Sequence, residues 1–99
     1  MIIVENVLDH SEYLILDNQF LIGKIDGAEF SKLFVDLYLN DQTHHIDETF
    51  NVHETLFYYV DSYEPLPELR KQLDIQIDDK DLLWAVREHF VSLKKLRNH

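Results

Sequence analysis

Histidines and carboxylates carry most of the chemistry this sequence could offer, and several of them are bunched. His44, His45, Asp47 and Glu48 stand almost side by side, with His53 five residues beyond. Imidazole and carboxylate both bind zinc, so a loop carrying them could close on a metal ion. The spacing matches no familiar ligand pattern, however. A polar loop running into a helix with acids in its first turn accounts for the same residues. Asp78, Asp79 and Asp81 form a second bunch. Two such carboxylates could serve glycoside hydrolysis, but acids at a helix start are also what capping and the helix dipole select. His10 and His89 stand apart, and His89 falls near an apolar stripe, where a core-edge residue is expected. There is no cysteine, which removes thiolate nucleophiles, thiolate metal sites and disulfides. Ser11, Ser31, Ser62 and Ser92 lack the strand-to-helix elbow of a nucleophilic serine, and Gly23 and Gly27 stand too isolated for a phosphate-binding loop. The expectation is a protein that is not an enzyme and has no cofactor or metal centre.

Binding chemistry is better represented. The stretch Leu56 to Arg70 brings Asp61, Glu64 and Glu68 among Phe57, Tyr58 and Tyr63, and a pair of prolines, Pro65 and Pro67, interrupts it. Upstream, Phe50, Glu54, Phe57 and Asp61 fall within about 60° of one another on a helix turning ~100° per residue. The apolar stripe Val52, Leu56, Tyr59, Val60 and Tyr63 lies elsewhere on that helix. One face is apolar, then, and another alternates carboxylates with large rings. Aromatic anchors in a charged field are characteristic of interface centres. The plainer alternative is that a bundle buries more than one stripe and that Phe50 and Phe57 belong to the core. The residue pattern leaves both open.

Four helices must position these groups. The first is predicted over roughly 11–22, with a possible break near Asp9, whose spacing to Glu12 resembles a capping box, and with Gly23 as C-cap. The second spans about 27–40. Asp26 and Glu29 form its capping box, and Phe30, Leu33, Phe34, Leu37 and Tyr38 repeat at helical spacing. The short link between them makes these two helices antiparallel neighbours. After a polar loop, the third runs from Asp47 to about Tyr63, where the prolines end it. Residues 66–77 read as a connection with room for one helical turn after Pro67. Asp78 caps the last helix, whose core stripe is Leu82, Val86, Phe90 and Leu93. Trp84 and Val91 point elsewhere, to a second packing face or an interface. No segment alternates well enough for a strand. The fold class expected is all-α, a single-domain antiparallel four-helix bundle over residues 1–99.

Composition sets the sign of the partner. The chain has 99 residues, of which 45% are hydrophobic, so a packed core is within reach. Lys and Arg number 9 against 19 Asp and Glu, a formal charge of −10. The first 69 residues hold more than all of that excess, with 14 acids against only Lys24 and Lys32, and the remainder of the chain is slightly basic. Such a surface repels nucleic acid and anionic membranes and attracts a basic protein, although acidity also serves solubility alone. No run has the length of a signal peptide or a membrane span, so a soluble cytoplasmic protein is expected.

Three stretches resemble the colicin D-type immunity proteins and the related immunity proteins of contact-dependent inhibition systems. They are the junction Gly23-Lys24-Ile25-Asp26-Gly27-Ala28-Glu29-Phe30, the central Leu56-Phe57-x-x-x-Asp61-x-Tyr63-Glu64-Pro65-x-Pro67-Glu68-Leu69-Arg70, and the closing Ile77-Asp78-x-x-x-Leu82-x-x-x-Val86. The resemblance spans roughly residues 15–96 and is most specific in the central stretch. It implies a small helical bundle that binds the C-terminal domain of a cognate nuclease toxin, one to one, and blocks its active site. The toxins of that family are ribonucleases, often acting on transfer RNA. By motif position, Asp61 and Glu64 match the acids that face the toxin, with Glu68 a third. Glu54, Phe57, Tyr58 and Tyr63 would complete the partner-binding set. Where the family often has an acid after the first proline, this chain has Leu66. The other readings are an acidic helical adaptor, a nucleic-acid mimic acting on a different basic partner, and a metal-dependent protein using His44, His45 and Glu48.

Overall fold

The computed structural model describes residues 11–41 and 47–97, all of whose regular elements are helices. They are α1 (Ser11–Leu21), α2 (Gly27–Leu39), α3 (Asp47–Ser62), α4 (Pro67–Leu73) and α5 (Asp79–Arg97). Four of them make the expected bundle. The fifth, α4, is two turns long where the sequence pattern allowed one, and it lies in the connection between α3 and α5. The possible break near Asp9, and His44 and His45, lie outside the described residues.

Local chemistry sets most boundaries. Gly23 takes φ +81, and the Gly23 and Lys24 amides donate to the Phe20 and Gln19 carbonyls at 3.1 and 2.8 Å, closing α1 with a Schellman turn. Asp26 accepts the Glu29 amide at 2.8 Å and so caps α2. Asp78 does the same for α5, accepting the Asp81 amide at 3.0 Å.

α5 is the hub, packed against α1, α3 and α2, while α2 also packs against α1 and α3. Phe30, Phe34, Leu56, Leu82, Val86 and Leu93 meet at the centre and are essentially fully buried. Burying each such side chain is worth about 1.5–3 kcal/mol. Phe30, Phe34 and Tyr38, one turn apart along α2, form an aromatic ladder with centroids 6.0 and 5.7 Å apart, and Phe20 extends it at one end. Leu33, expected in this stripe, is exposed. With Ile15 it lines an open groove between α1 and α2. The ladder points the Phe30–Phe34–Tyr38 side of α2 inward and leaves Leu33, about 100° around the helix from its centre, at the rim.

The stretch after α3 leaves the bundle and returns to it. Tyr63 pairs with Ile77 in an isolated parallel bridge, and the Glu64 amide donates to the Ile77 carbonyl at 3.1 Å. Between these two points, α4 buries no residue and packs extensively against no other helix. Asp74 ends it in the left-handed conformation, φ 59, a place where aspartate is tolerated. Residues 64–77 therefore form an arm clamped at its base.

Candidate functional site

Asp61 lies in the last turn of α3 with its carboxylate exposed, Glu64 sits at the root of the arm, and Glu68 occupies the first turn of α4, also exposed. The bend between them is held from within. Arg70 extends Nη1 to the carbonyls of Glu64 and Pro65, at 2.7 and 3.1 Å, and the Glu64 carboxylate accepts the Leu66 amide at 3.2 Å. One guanidinium nitrogen shared between two successive carbonyls braces the backbone from which this corner presents its acids. Leu66, Leu69 and Leu73 lie exposed on the same arm.

The remaining members of the predicted set divide. Tyr58 is 66% exposed near the end of α3, within reach of a partner. Tyr63 is half-buried, and its hydroxyl donates to Asp79 across the arm's base, so it positions the arm. Burial and the neighbouring Asp79 both push that phenol above its ordinary range. Glu54 accepts the Tyr38 hydroxyl at 2.6 Å, and Phe57 packs on the Tyr38 ring at 5.7 Å. These two are engaged with α2. Phe50 is 49% exposed. The acidic-aromatic stripe of α3 thus splits in two, with Phe57 and Glu54 tied to the bundle and Phe50 and Asp61 open to solvent.

The other acidic bunch is absorbed locally. Asp78 and Asp81 cap α5 reciprocally, and Asp79 holds Tyr63. Of the histidine run, His53 is fully buried and faces the bundle interior. Its Nδ1 lies 3.0 Å from His89 Nε2, and His89 Nδ1 in turn bonds the carboxylate of Asp17. His89 is therefore a central residue and not the core-edge residue expected. The sequence held the signal. Asp17 follows Tyr13, Leu14 and Leu16 on the inner face of α1, His53 falls one turn before Leu56, and His89 lies between Val86 and Leu93. Three polar residues in step with three apolar stripes belong inside, and polar groups inside need one another. Burial pushes the Asp17 carboxyl up to about 9 and the His89 imidazole down to about 3. The pair therefore stays neutral, sharing a single proton. An Asp–His pair could act as a general base. Here both His89 nitrogens are occupied and neither residue meets solvent, so the chain of bonds ties α1, α3 and α5 together.

A family model of bacterial self-protective colicin-like immunity matches residues 9–96. The chain belongs to this family. Colicin-like immunity proteins are inhibitors rather than enzymes, and membership implies binding to a cognate toxin. Neither curated proteins nor solved structures gave a match. Among the described residues, no helix of this colicin-like immunity protein is long and apolar enough to cross a membrane.

Proposed function

We propose that this colicin-like immunity protein neutralises a nuclease toxin by laying Asp61, Glu64 and Glu68 over the toxin's basic active site. The observation that carries this reading is the clamped corner, where the Arg70 bonds to the Glu64 and Pro65 carbonyls fix the backbone that carries the acids outside the packed bundle. A backbone fixed before encounter presents its acids without the ordering cost of a flexible loop. The formal charge of −10 adds long-range attraction for a cationic cleft. A cleft that binds RNA is cationic because it must hold phosphates, and carboxylates carried on a braced backbone can occupy the same positions. Tyr58 and the exposed leucines of the arm supply apolar contact beside the acids. The toxin class that fits is a ribonuclease, with transfer RNA as substrate, held one to one in the cytoplasm.

The test is a growth rescue. The C-terminal domain encoded by the neighbouring upstream gene is expressed with and without this protein, and transfer RNA integrity is followed on gels. The wild-type chain is expected to restore growth and preserve the RNA. Asp61→Lys/Glu64→Lys is expected to lose protection while keeping its helical circular dichroism. Full protection by that double variant would place the inhibitory surface elsewhere.

A further inference from the structure

A second feature, on the opposite flank of α3, has no part in the corner just described. Between α3 and α5 runs a groove of about 300 Å³, with Trp84 and Glu88 on the α5 side and Asn51 and Thr55 on the α3 side. Val52 and Ala85 contribute to its apolar floor. Trp84 is 51% exposed, and its ring stands 6.0 Å from that of Tyr59. One side of it thus packs on α3, and the other is left open to solvent. Among the described residues Glu88 forms no ion pair, although Arg87 adjoins it and Lys95 follows two turns later.

The lining selects its occupant. An apolar side chain would suit the floor but would strip water from Glu88, Asn51 and Thr55 without returning hydrogen bonds. An acidic side chain would meet Glu88. A side chain with an apolar stem and a cationic head satisfies every wall: methylenes on Val52 and Ala85, charge over the Trp84 ring, hydrogen bonds to Glu88. The planar guanidinium meets these demands better than an ammonium, because it stacks on indole and reaches a carboxylate with two parallel bonds. The Thr55 hydroxyl, already donating to the Asn51 carbonyl at 2.9 Å, keeps its lone pairs for such a donor.

We infer that the Trp84–Glu88 groove is an arginine-binding slot that receives one arginine side chain of the toxin domain. This rests on the toxin-inhibitor reading and adds to it a second anchor, on α5, apart from the acidic corner. Both contacts call for a cationic partner, and the slot additionally fixes the orientation of the bound toxin.

Trp84 is the only tryptophan, so 5-fluorotryptophan labelling gives a single fluorine resonance that reports on the slot. Labelled protein is titrated with blocked Gly-Arg-Gly peptide and with its citrulline, lysine and leucine counterparts. The expected result is a saturable shift with the arginine peptide at millimolar concentration, a smaller one with lysine, and none with citrulline or leucine. Glu88→Gln should abolish the arginine response. An equal shift with citrulline, or no shift at all, would overturn the slot. In the second arm the unlabelled toxin domain is added. The resonance should move, and Glu88→Gln and Trp84→Ala should each weaken binding by ~10-fold or more. Glu88→Gln removes only a charge at the surface, so it guards against a folding failure in Trp84→Ala. Unchanged toxin affinity in both variants would sink the inference while leaving the acidic corner standing. Absence of toxin binding by the wild-type protein would refute the inhibitor reading itself, and the toxin-borne arginine with it.

Discussion

Replacing Asp17 by asparagine should reshape the pH dependence of stability. In the wild-type fold the Asp17–His89 pair holds one proton from about pH 3 to about pH 9. In the unfolded chain the two groups titrate at their ordinary values of 3.8 and 6.5. Between those two values both states carry one proton, and the pair adds no slope. Above pH 6.5 the unfolded chain has lost its histidine proton while the folded pair keeps one, so stability falls as pH rises. At about 1.4 kcal/mol per unit over roughly 2.5 units, the loss approaches 3 kcal/mol by pH 9. Below pH 3.8 the unfolded chain takes a second proton first, and stability falls again as pH drops. Asparagine keeps the shape and removes the titration. His89 alone then remains, held neutral by burial, so the alkaline loss should vanish and the acid loss should begin near pH 6.5 instead. Urea unfolding at half-unit intervals from pH 4 to 9 would show it. A wild-type profile flat from 6.5 to 9, or an alkaline decline of equal size in Asp17→Asn, would refute the shared-proton account.

Three further outcomes follow from packing and from the arm. A Cβ added at Gly27 would press into the Tyr63 ring and approach Leu82 at 3.2 Å, and Tyr63 cannot swing away while Asp79 holds it. Gly27→Ala should therefore cost about 1–3 kcal/mol, read as a lower thermal midpoint. Phe34→Ala empties the centre of the aromatic ladder and should cost about 3–5 kcal/mol, shifting the urea midpoint with no change in slope. Arg70→Ala removes the two bonds to Glu64 and Pro65. Thermolysin should then cut faster at Leu69 and Leu73, while the free energy of global unfolding falls by about 1 kcal/mol or less.

Helical periodicity and capping made the bundle legible, because they are local. Asp26, Gly23 and Asp78 mark boundaries by groups that bond their own neighbours, and the structure places those boundaries within a residue or two. What the pattern could not supply was direction in space. Leu33 and Phe34 look alike in sequence, and only the docking of α2 decides that one is buried and the other is not. Glu54 and Asp61 share a stripe on α3, yet Tyr38, from another helix, claims the first. The buried polar chain failed for a different reason. His53 stands beside a histidine-rich loop in sequence, although its helical phase matches Leu56 and Val60. The length of α4 is not legible in the pattern, because its apolar residues pack on no other helix and form no stripe matched to the bundle.

The clamp at Tyr63 and Ile77 separates the molecule into two parts with different tolerance of change. Substitutions at Phe30, Leu82 or Leu93 disturb packing shared by several helices. Apart from Arg70, substitutions on the outward side chains from Leu66 to Leu73 disturb almost nothing but their own exposure to water, and surface changes of that kind shift stability by about 0.5 kcal/mol or less. The tip of the arm can therefore be rewritten residue by residue without passing through an unfolded ancestor. A bundle built this way can track a changing partner while its interior stays fixed.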